Sequence, residues 1–245
     1  MSLKITFATS ARVLQQLRHD PRTLGLMFIV PLALLGLLAW VYSATPRLFD
    51  YAGPPLLGIF PFIVMFLVTS VATLRERSGG TLERLLAMPV GKLDILAGYA
   101  LTFGSLAIIQ ATLASFAAVH LYGMDVAGPQ WLLVVVALAV ALLGTSLGLF
   151  ASAFARSEFQ AVQFMPAIVL PQFLLCGLLV PVALLPTVLQ WIAHCLPLTY
   201  AVDAMKHIAT ETTVSGRVYV DIAVVLAFAL VAILLGALTL RRQTK

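Results

Sequence analysis

Gly91 and Lys92 are the nearest approach in this chain to a phosphate-binding loop. Such a loop needs a glycine five residues before Gly91 and a Ser or Thr directly after the lysine. The chain has Leu86 and Leu93 at those positions. We therefore predict no nucleotide site and no cofactor in this chain, so that ATP and Mg²⁺, if they are used, bind to a partner.

Histidine, cysteine and serine side chains are the other candidates for chemistry. His194 and Cys195 are adjacent, but no third metal ligand lies close in sequence. Ser146 lies between two glycines spaced four residues apart, a spacing typical of close helix packing, and no membrane-embedded base accompanies it. The sequence predicts no catalytic residue and no metal site, and it predicts that Cys176 and Cys195 are unpaired.

The composition indicates the structural class of the chain that carries these residues. The 245 residues are 61% hydrophobic and only 10% charged, and their mean hydropathy is +1.03. Soluble domains carry about 25% charged residues, so a soluble chain of this kind could not cover its surface with polar groups. A water-soluble enzyme, a disordered chain and a nucleic-acid-binding protein are excluded. We predict an all-α polytopic membrane protein with a single transmembrane domain over residues 1–245.

Stretches without a charged side chain can each hold the roughly 20 residues that cross a bilayer as a helix. They cover residues 23–46, 51–74, 95–124, 126–155, 159–202 and 222–240. Residues 159–202 could cross twice. Prolines interrupt this stretch, and we interpret it as one broken span, Ala161–Val180, followed by a short re-entrant segment within an outer region covering residues 182–217. The prediction is six transmembrane helices.

Basic residues orient these spans, because Lys and Arg concentrate in cytoplasmic loops. Six spans with the N-terminus inside leave only Arg47, Lys206 and Arg217 on the outer side and every other basic residue inside. A seventh crossing would separate the basic residues less completely between the two sides of the membrane. The expected location is the plasma (inner) membrane, with both termini cytoplasmic.

Residues 1–22 form a different kind of segment. Leu3, Phe7, Leu14 and Leu17 lie close to one face of a helix, whereas the basic side chains lie largely elsewhere. The spacing predicts an amphipathic helix in the cytoplasmic interface. A solvated tail with accidental periodicity is the alternative.

The longest predicted cytoplasmic loop covers residues 75–94. Glycines at 79 and 80 break the preceding helix, Thr81 can cap a new one and Pro89 ends it. Leu82, Leu85 and Leu86 share one face of this short helix. Such an apolar ridge fits a groove of another protein, and it fits equally well against the cytoplasmic ends of the chain's own helices.

Two runs of residues carry a family resemblance. Residues 75–90 read RERSGGTLERLLAMPV, and residues 196–205 read LPLTYAVDAM. Both resemble stretches of the type-2 ATP-binding-cassette (ABC) transporter permeases, the drug, lipid and polysaccharide exporter group. The order of the predicted elements is also similar. Lys206 departs from the family, which more often has an arginine there.

The resemblance implies a permease subunit that moves a hydrophobic or amphipathic drug, lipid or glycan-like cargo outward. It implies two copies of a separate ABC ATPase subunit and a second permease chain, identical or related, with membrane lipid around them. It further implies that the cytoplasmic loop docks on the ATPase through Glu76, Gly80, Thr81, Leu82, Glu83, Arg84, Leu85, Leu86 and Pro89.

Adaptable apolar side chains on spans two and five are the candidates for a cargo path, although ordinary packing and lipid contact explain any single one of them. These candidates are Phe62, Met65, Phe66, Phe164, Met165, Gln172 and Phe173. The candidates for an outer gate are Pro197, Thr199, Tyr200 and Asp203.

Two other functional classes are compatible with the sequence. A membrane anchor that recruits a cytoplasmic partner would use the same loop without transport. An intramembrane enzyme would need a polar cluster at the midplane, and the sequence places no acidic or basic residue near the middle of any predicted span.

Overall fold

A computed structural model describes residues 3–79 and 91–239, and every regular element within these ranges is helical. The α-helices are α1 (Leu3–Arg18), α2 (Pro21–Val41), α3 (Pro46–Ser78), α4 (Lys92–Phe116), α5 (Gln130–Ser152), α6 (Glu158–Leu175), α7 (Thr187–His194), α8 (Pro197–Thr210) and α9 (Gly216–Thr239). A π-helical turn, Ala117–Leu121, extends α4, and a 3-10 turn, Val182–Leu184, precedes α7.

Five of the described helices are long and apolar enough to cross a membrane: α2, α3, α4 with its π-helical turn, α5 and α9. This confirms an all-helical, multi-pass membrane protein. The predicted count of six spans is not confirmed, because α6 does not meet the same criterion of length and composition. It has 18 residues, which span about 27 Å, and it contains Pro166 and Pro171 together with three glutamines.

Helix ends follow the local sequence. Asp20 caps α2 by accepting a hydrogen bond from the backbone N–H of Thr23, and Pro21 occupies the first helical position. Gly79 ends α3, so Arg75–Ser78 are helical rather than part of the predicted loop, and α4 already begins at Lys92. The rest of that loop, residues 80–90, lies outside the described part of the chain.

The chain runs alternately between two ends of the helix bundle. The start of α2 and the end of α3 meet α1 at one end, where the start of α6 also meets the end of α3; we call this the α1 end. The opposite end carries α7 and α8, and we call it the α8 end.

The pair α3 and α5 forms the centre of the bundle. A Cβ atom at Gly144 would overlap the carbonyl oxygen of Phe62, and one at Gly148 would lie 2.5 Å from the carbonyl oxygen of Phe66. The predicted close packing at these glycines is confirmed. The hydroxyl of Ser146, which lies between them, donates 2.7 Å to the carbonyl oxygen of Leu142 in its own helix.

The N-terminal segment is a helix, as predicted, but its apolar face is divided. Leu3, Phe7 and Leu14 are exposed, whereas Val13 and Leu17 are buried against the bundle. The buried face also includes Thr6 and Thr9, because α1 packs on α4 through small side chains. The exposed face is suited to the bilayer interface.

Candidate functional site

The last turn of α3 carries a carboxylate that joins three helices. Glu76 is buried, and both of its oxygens accept hydrogen bonds from Arg12 of α1, at 3.1 Å (Nη1 to Oε1) and 3.0 Å (Nη2 to Oε2). Arg12 Nη2 also lies 3.4 Å from the hydroxyl oxygen of Tyr99 on α4. A bidentate, charge-assisted pair fixes distance and orientation together, so it ties α1 to the end of α3.

The preceding residue, Arg75, makes a second bidentate pair. Its Nε and Nη2 donate to the two carboxylate oxygens of Glu158 at 2.8 and 3.0 Å, and its Nη1 lies 3.6 Å from Oδ2 of Asp20. The arginine therefore connects α3 to the start of α6 and to the residue that caps α2. These side chains are about half exposed, so each pair contributes no more than about 1 kcal/mol.

Hydrogen bonds and nearby positive charge keep the carboxylates of Asp20 and Glu158 ionised. Hydrogen bonds from the side chain and backbone of Thr23, with a smaller contribution from Arg75, hold the pKa of Asp20 below its usual value. The hydrogen bond from Arg75 likewise holds the pKa of Glu158 below its usual value. Both groups are charged at neutral pH.

The third residue in this run, Arg77, donates through Nη1 to the carbonyl oxygen of Ser152 at the end of α5, at 3.4 Å. Three consecutive side chains of α3 thus contact α1, α5 and α6. We call this set the α3-end network; its members are Arg12, Asp20, Arg75, Glu76, Arg77, Tyr99, Ser152 and Glu158.

Close packing fixes α1 to α4 beside the network. A Cβ atom at Gly98 would lie 2.6 Å from Cβ of Thr9, so only glycine allows this approach. The hydroxyl of Thr102 lies 3.0 Å from the carbonyl oxygen of Ser10 and 2.9 Å from its hydroxyl. Together with the Arg12–Glu76 pair, these contacts make α1 and the ends of α3 and α4 one mechanical unit.

The two helices of this unit flank residues 80–90, since α3 ends just before them and α4 begins just after them. Through the network, the end of α3 that precedes this segment contacts α1, α5, α6 and the residue that caps α2. Among the described residues, no group of three His, Cys, Asp or Glu side chains is placed to hold a metal ion. The chemistry of the network is binding and positioning.

One of the predicted ATPase-docking residues lies in the described part of the chain, and the others do not. Glu76 belongs to the α3-end network, where its carboxylate is bonded within the chain. The others lie outside the described residues: Gly80, Thr81, Leu82, Glu83, Arg84, Leu85, Leu86 and Pro89.

The predicted cargo-path residues have different surroundings on the two helices. Phe62, Met65 and Phe66 of α3 have no exposed surface in the single chain, because they face its own core. On α6, Gln172 is buried, and the other three are partly exposed: Phe164, Met165 and Phe173.

The predicted outer-gate residues lie together on α8. Thr199 donates 2.7 Å to the carbonyl oxygen of Ala193, and the hydroxyl of Tyr200 donates 2.8 Å to that of His194, so both hold α7. Pro197 begins α8 and is buried. Asp203 forms an ion pair with Arg217 at 2.7 Å, which joins α8 to α9.

Lys206 adds a further link at the α8 end. Its Nζ donates 2.6 Å to the carbonyl oxygen of Gly177 and 3.1 Å to the hydroxyl of Tyr51, and it lies 4.9 Å from the centre of the Tyr51 ring. Gly177 follows α6 and has φ +86°, a conformation that favours glycine. The lysine thereby ties α3, α8 and the end of α6 together.

Sequence reasoning missed most of the α3-end network. Arg12 lies one helical turn after Thr9 and beside Val13, so it borders the buried face, and this spacing was the available signal. No local pattern indicates that its partner lies 64 residues further along the chain. The same holds for Arg75 and Glu158, which are 83 residues apart.

Comparison with protein-family models shows the family of this chain. The family model for the ABC-2 type transporter matches residues 5–209. The chain belongs to the ABC-2 type transporter family. The family match includes both runs of residues that carry the resemblance, and it confirms that resemblance.

Curated relatives agree with the family. ABC transporter G family member 20 of Dictyostelium discoideum is 28% identical over 201 residues, 81% of this chain and 28% of the relative. The probable multidrug ABC transporter permease YbhR of Escherichia coli (strain K12) is 29% identical, over 63% of this chain and 42% of the relative.

The linearmycin resistance permease protein LnrN of Bacillus subtilis (strain 168) is 28% identical, over 74% of this chain and 47% of the relative. The chain thus spans between about a quarter and a half of the length of these three relatives.

Proposed function

We propose that this chain is the membrane-spanning permease subunit of an ATP-driven ABC exporter. A separate ATPase supplies the energy, and two permease chains, identical or related, form the pathway between them. Two ATPase subunits dock below, at the segment that follows α3. Each ATPase subunit binds the ATP and Mg²⁺, and ATP binding draws the two together.

The observation that carries the proposal is the α3-end network. An energy-coupling segment has to be attached rigidly to the helices that move, because a flexible attachment would dissipate the displacement. Glu76 and Arg77 contact α1 and α5 directly, and Arg75 contacts α6 and the cap of α2. These contacts support a route by which a displacement at the end of α3 would reach four other helices.

The α1 end is proposed to face the cytoplasm. Basic side chains concentrate there, including Lys4, Arg18, Arg22 and Arg156 in addition to the arginines of the network. Arg47, Lys206 and Arg217 lie toward the α8 end. This distribution follows the rule that positive residues remain on the cytoplasmic side, and it supports the proposal that α1 and the end of α9 lie on that side.

The cargo class is proposed from two sources. The relatives named as multidrug and linearmycin resistance permeases favour a hydrophobic or amphipathic molecule. The partly exposed Phe164, Met165 and Phe173 give α6 an adaptable apolar surface of the kind that accepts bulky cargo. Direction outward, past α7 and α8, rests on the family resemblance.

Co-purification of the ATPase subunit tests the docking. In the doubly substituted Leu85→Asp/Leu86→Asp chain, a charged pair replaces the apolar ridge, and we expect the ATPase to be lost while the permease still inserts into the membrane. The matched control is Leu184→Asp/Leu185→Asp at the α8 end, where Leu184 is 74% exposed. This control should retain the ATPase. Equal retention in both variants would contradict the docking assignment.

Cargo-stimulated ATP hydrolysis separates transport from simple recruitment. The reconstituted complex should hydrolyse ATP faster in the presence of transported cargo. A membrane anchor that only recruits a partner would bind the ATPase and show no stimulation across a panel of hydrophobic drugs and lipids.

A further inference from the structure

A cavity of about 460 Å³ lies between α1, α2 and α3 at the α1 end. Its size falls within the range of small-molecule sites, roughly 300–1,000 Å³. It lies apart from the predicted cargo-path residues of α3, which face the core, and from α6. Four members of the α3-end network line one side of it: Asp20, Arg75, Glu76 and Tyr99.

The wall of the cavity on α3 is aliphatic. Val68, Val71 and Ala72 line it at helical spacings of three and four residues, so they share one face, and all three are only half-buried. Val13 and Leu17 of α1 close the opposite side. An apolar slot of this shape, lined by α1 and by the candidate membrane spans α2 and α3, fits an aliphatic chain.

The rim of the cavity is polar and carries both acidic and basic side chains. Asp20, Glu76 and Arg75 are its charged lining residues, and Gln16 is an exposed amide beside them. Arg12 neutralises Glu76, and Glu158 occupies two donors of Arg75. Asp20 caps α2 and has only a longer contact with Arg75, 3.6 Å from Nη1 to Oδ2. Its carboxylate is thus the charged rim group best able to attract an ammonium group.

Exposed side chains at the edge of the cavity show the direction from which a ligand would enter. Leu26 lines the cavity and is 62% exposed, and Ile29, on the same helix, is 66% exposed. In a membrane these side chains contact lipid. The cavity is therefore reached from the side, within the leaflet at the α1 end.

We propose that this cavity binds a phospholipid of that leaflet, with an acyl chain against Val68, Val71 and Ala72 and a zwitterionic headgroup at the Asp20 rim. The headgroup ammonium pairs with Asp20, and the phosphate faces Gln16. Because the bound lipid lies between α1 and α3, it fills the gap beside the Arg12–Glu76 pair. The proposal does not depend on transport or on any ATPase.

The test uses the full chain in vesicles of phosphatidylethanolamine and phosphatidylglycerol. A trace of phosphatidylethanolamine carries a photoactivatable diazirine on one acyl chain, and labelled peptides are mapped by mass spectrometry. We expect labelling concentrated on residues 67–75. Ala72→Phe fills the slot and should reduce this labelling at least about fivefold, while Ala227→Phe, at an exposed alanine of α9, should leave it unchanged.

A second variant tests the headgroup. Asp20→Asn removes the charge and keeps a side chain that can cap α2. The wild type should label residues 67–75 more strongly with the phosphatidylethanolamine probe than with a phosphatidylglycerol probe, and Asp20→Asn should abolish this preference. Labelling spread evenly over α4, α9 and the cavity, or unchanged by Ala72→Phe in a variant that inserts and unfolds like the wild type, would overturn the proposal.

Discussion

Neutralising Glu76 should detach α1 from the end of α3. The Arg12 and Glu76 side chains are 28% and 10% exposed. Removing one partner of a fully buried ion pair costs about 3–5 kcal/mol, whereas an exposed pair contributes about 0–1 kcal/mol. For this intermediate burial we expect Glu76→Gln to lower the free energy of local opening of α1 by about 2 kcal/mol.

Hydrogen exchange of the α1 amides measures this opening directly. A loss of about 2 kcal/mol should speed exchange of residues 6–13 about 30-fold. Arg12→Gln should produce a similar change. The double variant should lose less free energy of local opening than the two single variants lose together, with a coupling energy of about 1.5 kcal/mol. The control pair, Arg18→Gln with Glu76→Gln, should be additive because Arg18 is exposed and lies outside the network. Additivity of Arg12→Gln and Glu76→Gln within about 0.5 kcal/mol would refute the reasoning.

Three further predictions concern other parts of the chain. Gly144→Val should destabilise the bundle by about 3 kcal/mol or more, because its side chain meets the backbone of Phe62; Gly25→Val, whose Cβ has only a contact at 3.9 Å, is the control in thermal unfolding. Lys206→Met removes the donor to Gly177 and should speed exchange of the amides after α6 by about tenfold, with Lys206→Arg less affected; equal exchange in all three chains would contradict this link. Asp20 has a lowered pKa, so its contribution to stability is present above the pKa of the unfolded chain and is lost as the pH falls through the folded value; thermal unfolding from pH 6 to pH 3 should show a smaller decline in Asp20→Asn, and an identical decline would exclude this contribution.

Periodicity and charge were sufficient to predict the helical membrane class, because apolar stretches of spanning length allow no other backbone structure in hydrocarbon. The glycines at 144 and 148 also indicated a close helix contact, since only a missing side chain lets two backbones approach. Element limits were less accurate. Arg75–Ser78 continue α3 although three of these four residues are charged, because Glu76 and the two arginines beside it find partners on adjacent helices.

The short length of α6 was not predicted, and neither was the division of the α1 face. The prediction was one span broken by prolines over Ala161–Val180, but the helix ends at Leu175 and is followed by Gly177 in a left-handed conformation. On α1, the apolar pattern could not show that Thr6 and Thr9 pack inward, because this depends on Gly98 of α4.

Long-range pairs were beyond sequence reasoning. Arg12–Glu76 and Arg75–Glu158 join residues far apart in the chain, and each member taken alone resembles an ordinary solvated charge. Only the packing of α1, α3 and α6 brings them together.

Uphill transport in sealed vesicles tests the central claim most directly. The chain is reconstituted alone, and separately with its ATPase subunit, and accumulation of a panel of hydrophobic cationic dyes is followed with and without ATP. We expect accumulation only when the ATPase subunit and ATP are both present, and we expect it to be lost in the Leu85→Asp/Leu86→Asp chain. Uphill accumulation by the chain alone would contradict it.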